Sequence, residues 1–191
     1  ERLRTRLALP PRYFLFLGVI TPRKNVGNLC RAFQRYVDAG GDAHLVMAGA
    51  PDGHGENVPE QTCTGAALAR IHRLGYVPHG DLPALYSGAR ALVYPSRYEG
   101  FGLPMLEAMA CGTPVLAARA GSLPEVAGDA ALFFDPDDVQ GIADGMLRVD
   151  RDGEVADTLR TRGHARAAQF DWASVAAHVE NLYERICTGG G

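Results

Sequence analysis

The sequence has no means of building a disulfide framework: among its 191 residues the four cysteines, Cys30, Cys63, Cys111 and Cys187, lie far apart with no C-x-x-C pair. That excludes a small cross-linked secreted scaffold and a zinc ribbon, and reads as the reduced thiols of a cytoplasmic protein. No apolar run approaches the ~20 residues of a membrane span, and Glu1 heads no signal-peptide pattern. Basic blocks are missing too. Nineteen Lys and Arg are scattered against twenty-two Asp and Glu, for a net charge of −3, which excludes the basic stripe of a nucleic-acid binder. There is no internal repeat and no low-complexity tract. An initial methionine is also missing, and the chain ends in "TGGG"; the chain reads as a piece of something longer, its last glycines as a cloning remnant.

What is present is a regular alternation. "YFLFLGVI", "AHLVMAG", "ALVYPS", "PVLAA" and "ALFF" each have the length and continuous apolarity of a strand buried on both faces. Between them lie helical patterns. Val26, Leu29, Cys30, Phe33 and Val37 share one stripe, "DLPALYSGA" reads as a short helix capped by Asp81, and "LPMLEAMACG" starts at a proline and ends with Gly112 beyond its last turn. Strands alternating with helices predict an α/β fold, a Rossmann-like open parallel sheet with helices on both faces. Ala50–Gly65 has neither period and reads as a long loop with one turn of helix. After Asp135-Pro136 the pattern is purely helical, near Asp138–Val149, Glu154–Gln169 and Trp172–Ile186.

Ligands of open parallel sheets bind where strands end and helices begin, and three such junctions carry unusual chemistry. In "GVITPRKN", Arg23 and Lys24 stand at the positive end of a helix, where cations are unfavourable unless an anion joins them; two solvated surface charges are the plain alternative. In "SRYEGFGLPMLEAMACGTPV", Gly100 and Gly102 admit close backbone approach, and the amides near Gly102 and Leu103 open a helix and suit an anion. Glu99 and Glu107, eight residues apart, flank that turn. Either could merely serve the turn or the helix dipole, yet carboxylates also accept hydrogen bonds from vicinal hydroxyls. A sugar nucleotide, with hydroxyls at both ends of a diphosphate, satisfies both. In "RLGYVPHGDLPALY", Tyr76 and Val77 follow a strand end and are either core or the walls of a base pocket.

Four ordered motifs, "GVITPRKN", "LGYVPHGDLPALYSGA", "SRYEGFGLPMLEAMACGTPV" and "GSLPEVAGDAALFFDPDD", resemble the C-terminal domain of family-4-type retaining glycosyltransferases of the two-domain B fold, over about Tyr13 to Ile186. Glu99 and Glu107 match that family's E-x7-E signature. The resemblance implies that Glu99 holds donor-sugar hydroxyls and Glu107 the nucleotide ribose. It implies that the amides of Gly102 and Leu103, with Lys24 and Arg23, bind the diphosphate, flanked by Gly100 and Phe101. Gly18 would line the cleft and Tyr76-Val77 the base. Arginine commonly follows the cleft glycine in the family; here it is Val19, so Arg23 takes that part.

The resemblance further implies a division into an interdomain linker (1–11), a nucleotide-sugar-binding domain (12–168), a crossover helix (169–187) and a tail (188–191). It implies a hexosyltransferase with GDP-mannose as first donor and a UDP-sugar as second, no cofactor and no metal. Asp135-Pro136-Asp137 is similar to the D-x-D metal motif of the other glycosyltransferase fold but matches this family's loop pattern. The acceptor, a glycan or lipid-linked hydroxyl, would be bound by an N-terminal domain, which could also bring the enzyme to the inner membrane. A sugar-nucleotide epimerase of the same fold and a non-catalytic nucleotide-sugar-binding module are the alternatives.

Overall fold

Each of the five apolar runs forms a strand, and a sixth strand joins them at an edge. The computed structural model describes residues 2–50 and 58–187. Within them the order is α1 (Arg2–Arg6), β1 (Tyr13–Leu17), α2 (Val26–Asp38), β2 (His44–Ala48), α3 (Val58–Thr62), α4 (Gly65–Ala69), β3 (Ile71–Gly75), α5 (Leu82–Ser87) and β4 (Ala91–Tyr94). Then follow α6 (Leu103–Ala110), β5 (Val115–Ala118), α7 (Leu123–Ala127), β6 (Ala131–Phe134), α8 (Val139–Arg151), α9 (Gly153–Ala167) and α10 (Trp172–Cys187). All neighbouring strands pair in parallel, in the order β3-β2-β1-β4-β5-β6. This is the predicted Rossmann-like sheet.

The central strands are apolar without alternation because helices cover both faces. Phe14, Leu15 and Phe16 of β1 and Leu92 and Val93 of β4 have no exposed surface. The edge strand β3, "IHRLG", is half-buried and carries no continuous apolar signal. Helix α2 packs on α8 and α6 on α9. Four of the five stripe residues of α2, Val26, Leu29, Cys30 and Phe33, are in the core.

One local expectation needs correction. Asp81 does not cap α5: its side chain makes no cap hydrogen bond and pairs with Arg6 of α1. Within the stretch expected to be a linker, Arg2–Arg6 is helical. Of the Ala50–Gly65 loop, Val58–Thr62 is helix and α4 begins at Gly65, while 51–57 and the tail 188–191 lie outside the described residues. Helix α10 leaves Val175, Val179, Leu182, Tyr183 and Ile186 exposed along one stripe. All four cysteines are free thiols.

At the end of the sheet where strands begin, one buried carboxylate holds several elements. Asp150 of α8 is paired with Arg12, just before β1, at 2.9 Å and with Arg90, just before β4, at 3.2 Å. The Tyr36 hydroxyl of α2 donates to it at 2.6 Å while accepting from the Ala43 amide before β2. Burial alone would raise the Asp150 pKa, but the Tyr36 hydrogen bond and the two guanidinium groups outweigh it and hold the carboxyl below its ordinary value. A depressed pKa means this stabilisation is complete above the unfolded-state value and is lost as pH falls through the folded one. Asp150→Ala, which takes the acceptor from the buried Tyr36 hydroxyl and the anion from two part-exposed guanidinium groups, should cost about 1–3 kcal/mol in urea unfolding. Asp150→Asn should flatten the acid limb of stability against pH; an unchanged limb would place that sensitivity elsewhere.

Candidate functional site

The strand order reverses between β1 and β4, since the chain runs from β1 outward through β2 and β3, then returns to β4 and runs the other way through β5 and β6. Diverging loops leave a crevice beyond the carboxyl ends of such a strand pair. Arg23 and Lys24 lie in a 3-10 turn, Pro22–Lys24, after β1, and Glu99 lies in the loop after β4. The two loops are tied together: the Arg97 amide donates to the Arg23 carbonyl at 2.9 Å. Asn25, in the left-handed region at φ 57°, spends its side-chain amide on the carbonyls of Pro95 and Pro136 instead of capping α2. Loops following β1, β4 and β6 thus meet at one residue.

In that crevice Lys24 Nζ lies 2.7 Å from Glu99 Oε1, and an Arg23 guanidinium nitrogen lies 2.9 Å from Glu99 Oε2. Arg23 also donates to the Tyr98 carbonyl at 2.8 Å. Lys24 Nζ donates to the Tyr94 hydroxyl at 2.9 Å. The side chains of Lys24 and Glu99 are 10 % and 11 % exposed, against 49 % for Arg23, so the Lys24–Glu99 pair forms the floor and Arg23 the rim. Burial alone would raise the Glu99 pKa, but Lys24, the buried Ser96 hydroxyl and Arg23 outweigh it and hold the carboxyl below its ordinary value. Oε1 is enclosed against the Lys24 ammonium, and Oε2 faces Arg23 at the rim.

Close backbone approach makes the room. Gly18 has φ +149°, and a Cβ there would come within 3.2 Å of the Lys24 side chain. Gly49, at φ +137°, lies so near Gly18 that a Cβ would meet its carbonyl oxygen at 2.0 Å. On the other side the Ser122 hydroxyl donates to the Glu99 carbonyl at 2.9 Å and fixes the acidic loop.

The remaining predicted residues fall around this cluster. Gly102, at φ +93°, caps α6 with no side-chain hydrogen bond, so Leu103 opens the helix with its amide uncapped. Gly100 has open space about it, and Phe101 meets Phe170 edge-on at 5.8 Å. Glu107, one turn into α6, accepts from the Tyr86 hydroxyl at 2.8 Å, apart from the two cations. Tyr76 is 79 % exposed, whereas the neighbouring Val77 packs against the core. Asp137 pairs with Arg97, and the Asp135 carboxylate accepts from the Asp137 amide. Among the described residues no three His, Cys, Asp or Glu side chains converge as metal ligands, and no helix is long and apolar enough to cross a membrane.

Two contributors escape the sequence reading. Tyr94 ends the run "ALVY" and reads as core, although a buried phenol needs a polar partner. Asn25 reads as a helix entry, and nothing in its neighbours signals the left-handed backbone or the carbonyls it bridges.

A family model described as "Glycosyl transferases group 1" matches residues 1–166. O-antigen chain mannosyltransferase B of Escherichia coli is 40% identical over 175 residues, covering 91% of this chain and 46% of that protein. Serotype-specific mannosyltransferase WbdA of Escherichia coli is 33% identical over 184 residues, 92% of this chain and 22% of that protein. Among solved structures, sucrose-phosphate synthase from Thermosynechococcus elongatus superposes with a TM-score of 0.83 at 28% identity, over 98% of this chain and 49% of that one. The chain therefore spans half or less of the length of each of these relatives.

The Glu99 cluster makes a direct prediction. Its stabilisation is present above the ordinary glutamate pKa of 4.5 and is lost as pH falls through the lower folded-state value. Carboxyl-carbon NMR should give a Glu99 midpoint below that ordinary value, and Lys24→Met should move it upward. A midpoint that Lys24→Met leaves unmoved would show that the ion pair does not hold the charge.

Proposed function

The chain belongs to the glycosyl transferases group 1 family, and from that premise we propose that it is the donor-binding half of a family-4-type retaining glycosyltransferase with an E-x7-E motif. The observation that carries this is the convergence of Arg23, Lys24 and Glu99 at the point where the strand order reverses. Two cations and an uncapped helix amide suit a diphosphate. A carboxylate beside them can accept from sugar hydroxyls once the cations turn to the diphosphate. Glu107, on the same helix that the amide opens, takes the ribose, and exposed Tyr76 flanks the base.

In the free protein Glu99 neutralises the cations. When donor binds, the diphosphate takes over Lys24 and Arg23, and Glu99 turns to the hexose. As the sugar leaves, negative charge grows on the diphosphate, and these fixed cations together with the Gly102-Leu103 amides stabilise it, a term that is usually large in group transfer. The hexose passes to an acceptor hydroxyl of a glycan or lipid-linked chain with its anomeric configuration kept. No metal or other cofactor is needed, since the diphosphate's charge is already answered by side chains and amides. Mannose as the sugar and GDP-mannose as the donor are supported by the names of the 40% and 33% identical relatives; a UDP-sugar is the second choice. The acceptor wall belongs to an N-terminal domain, and the exposed stripe of α10 is suited to lie against it. The proposed setting is the cytoplasm, peripheral to the inner membrane through that domain.

Calorimetry of the chain with GDP, UDP and guanosine tests the reading. Lys24→Ala should weaken the preferred nucleoside diphosphate by about 1.5–3 kcal/mol, the range for hydrogen bonds to charged groups, and leave the nucleoside unaffected. Glu107→Ala should weaken bare nucleotide. Glu99→Gln should not, because it removes a competitor for the cations, yet it should weaken the sugar nucleotide. Equal losses for nucleoside and diphosphate would sink the assignment.

Assays of transfer make a separate check. The isolated chain should bind donor yet transfer nothing, because positioning two reactants contributes about 7–11 kcal/mol to a barrier and the acceptor wall is elsewhere. Robust transfer by this chain with purified donor and acceptor would show that the active site is misplaced, and isomerisation of donor without acceptor would favour an epimerase.

A further inference from the structure

We infer that Tyr94 is a positioning residue for the diphosphate cation: its buried hydroxyl holds the Lys24 ammonium in place alongside Glu99. The inference rests on the donor-site reading above. Tyr94 is the last residue of β4, 1 % exposed. Its hydroxyl accepts from Lys24 Nζ at 2.9 Å, and the ammonium lies 4.7 Å from the ring centroid, within cation–π reach. Burial first, and then the nearby Glu99 charge, raise the phenol far above its ordinary value. The hydroxyl therefore stays neutral throughout the working range and never competes with a diphosphate as a second anion.

An ammonium has three donors. In the free protein Tyr94 takes one and Glu99 attracts another, leaving one for the crevice. Once Glu99 turns to sugar hydroxyls, a lysine tethered by Glu99 alone would regain its rotamers, and ordering such a side chain costs free energy on binding. With Tyr94 in place the ammonium stays where the Gly18 backbone leaves room for its stem. Glu99 can thus serve the sugar without releasing the cation.

Tyr94→Phe removes the hydroxyl and keeps the ring, so the core packing of β4 survives. Calorimetry should be run on wild type, Tyr94→Phe, Lys24→Met and the double variant, with GDP, UDP and the matching nucleosides. Tyr94→Phe should weaken the preferred nucleoside diphosphate about three- to tenfold, the worth of one net hydrogen bond. It should leave the nucleoside unchanged and add nothing in the Lys24→Met background. A thermal melt of each variant separates loss of fold from loss of binding. If wild type binds neither nucleotide, the donor-site reading falls and the inference with it. If wild type binds and Lys24→Met weakens binding, the positioning role alone is overturned by any of three results: a silent Tyr94→Phe, an equal effect on the nucleoside, or an undiminished effect without Lys24.

Discussion

A lysine ammonium that is nine-tenths buried must be answered by opposite charge, or the fold loses several kcal/mol. Lys24 is answered by Glu99, and that requirement organises the crevice. It draws the loop after β4 onto the turn after β1, where the Arg97 amide and the Arg23 carbonyl then close the contact. Glycine at positions 18 and 49 is needed because the backbone and the Lys24 stem occupy the space side chains would take. The crevice is thus preassembled, with its two cations and Glu99 already facing one another.

The two ends of the sheet carry charge in different ways. Asp150, beneath the strand starts, has its hydrogen bonds and ion pairs satisfied by Tyr36, Arg12 and Arg90. Nothing there is left for a ligand, and its effect is to hold α8 against the beginnings of β1 and β4. At the strand ends, Glu99 Oε1 is enclosed against the Lys24 ammonium and Arg23 is half-exposed. One cluster is closed over by its partners, whereas the other opens at its rim through Arg23.

The sheet was legible because its central strands are buried on both faces, and continuous apolar runs of strand length have few other readings. Edge strand β3 gave no such run, being half-buried. Arg23 and Lys24 were recognisable as cations in a place that disfavours them, and the anion they meet in the free protein proved to be Glu99. Sequence spacing could not join them, since the contact spans seventy-five positions and depends on the order of β1 and β4. Tyr94 stayed hidden for the opposite reason: a tyrosine ending an aliphatic strand looks like packing until its hydroxyl is seen on a lysine. Asp81 misled because an acidic residue before a helix suggests a cap, whereas Arg6, far away in sequence, holds it.

Exchange of partners at Lys24 can be observed directly by nitrogen NMR of its ammonium while GDP or UDP is titrated into the chain. If the diphosphate takes the cation from Glu99, the Lys24 Nζ resonance should shift in step with nucleotide occupancy, and the Glu99 carboxyl should titrate at higher pH in the bound state than in the free one. Nucleotide binding that leaves the Lys24 signal and the Glu99 midpoint both unmoved would contradict a donor site built on this ion pair.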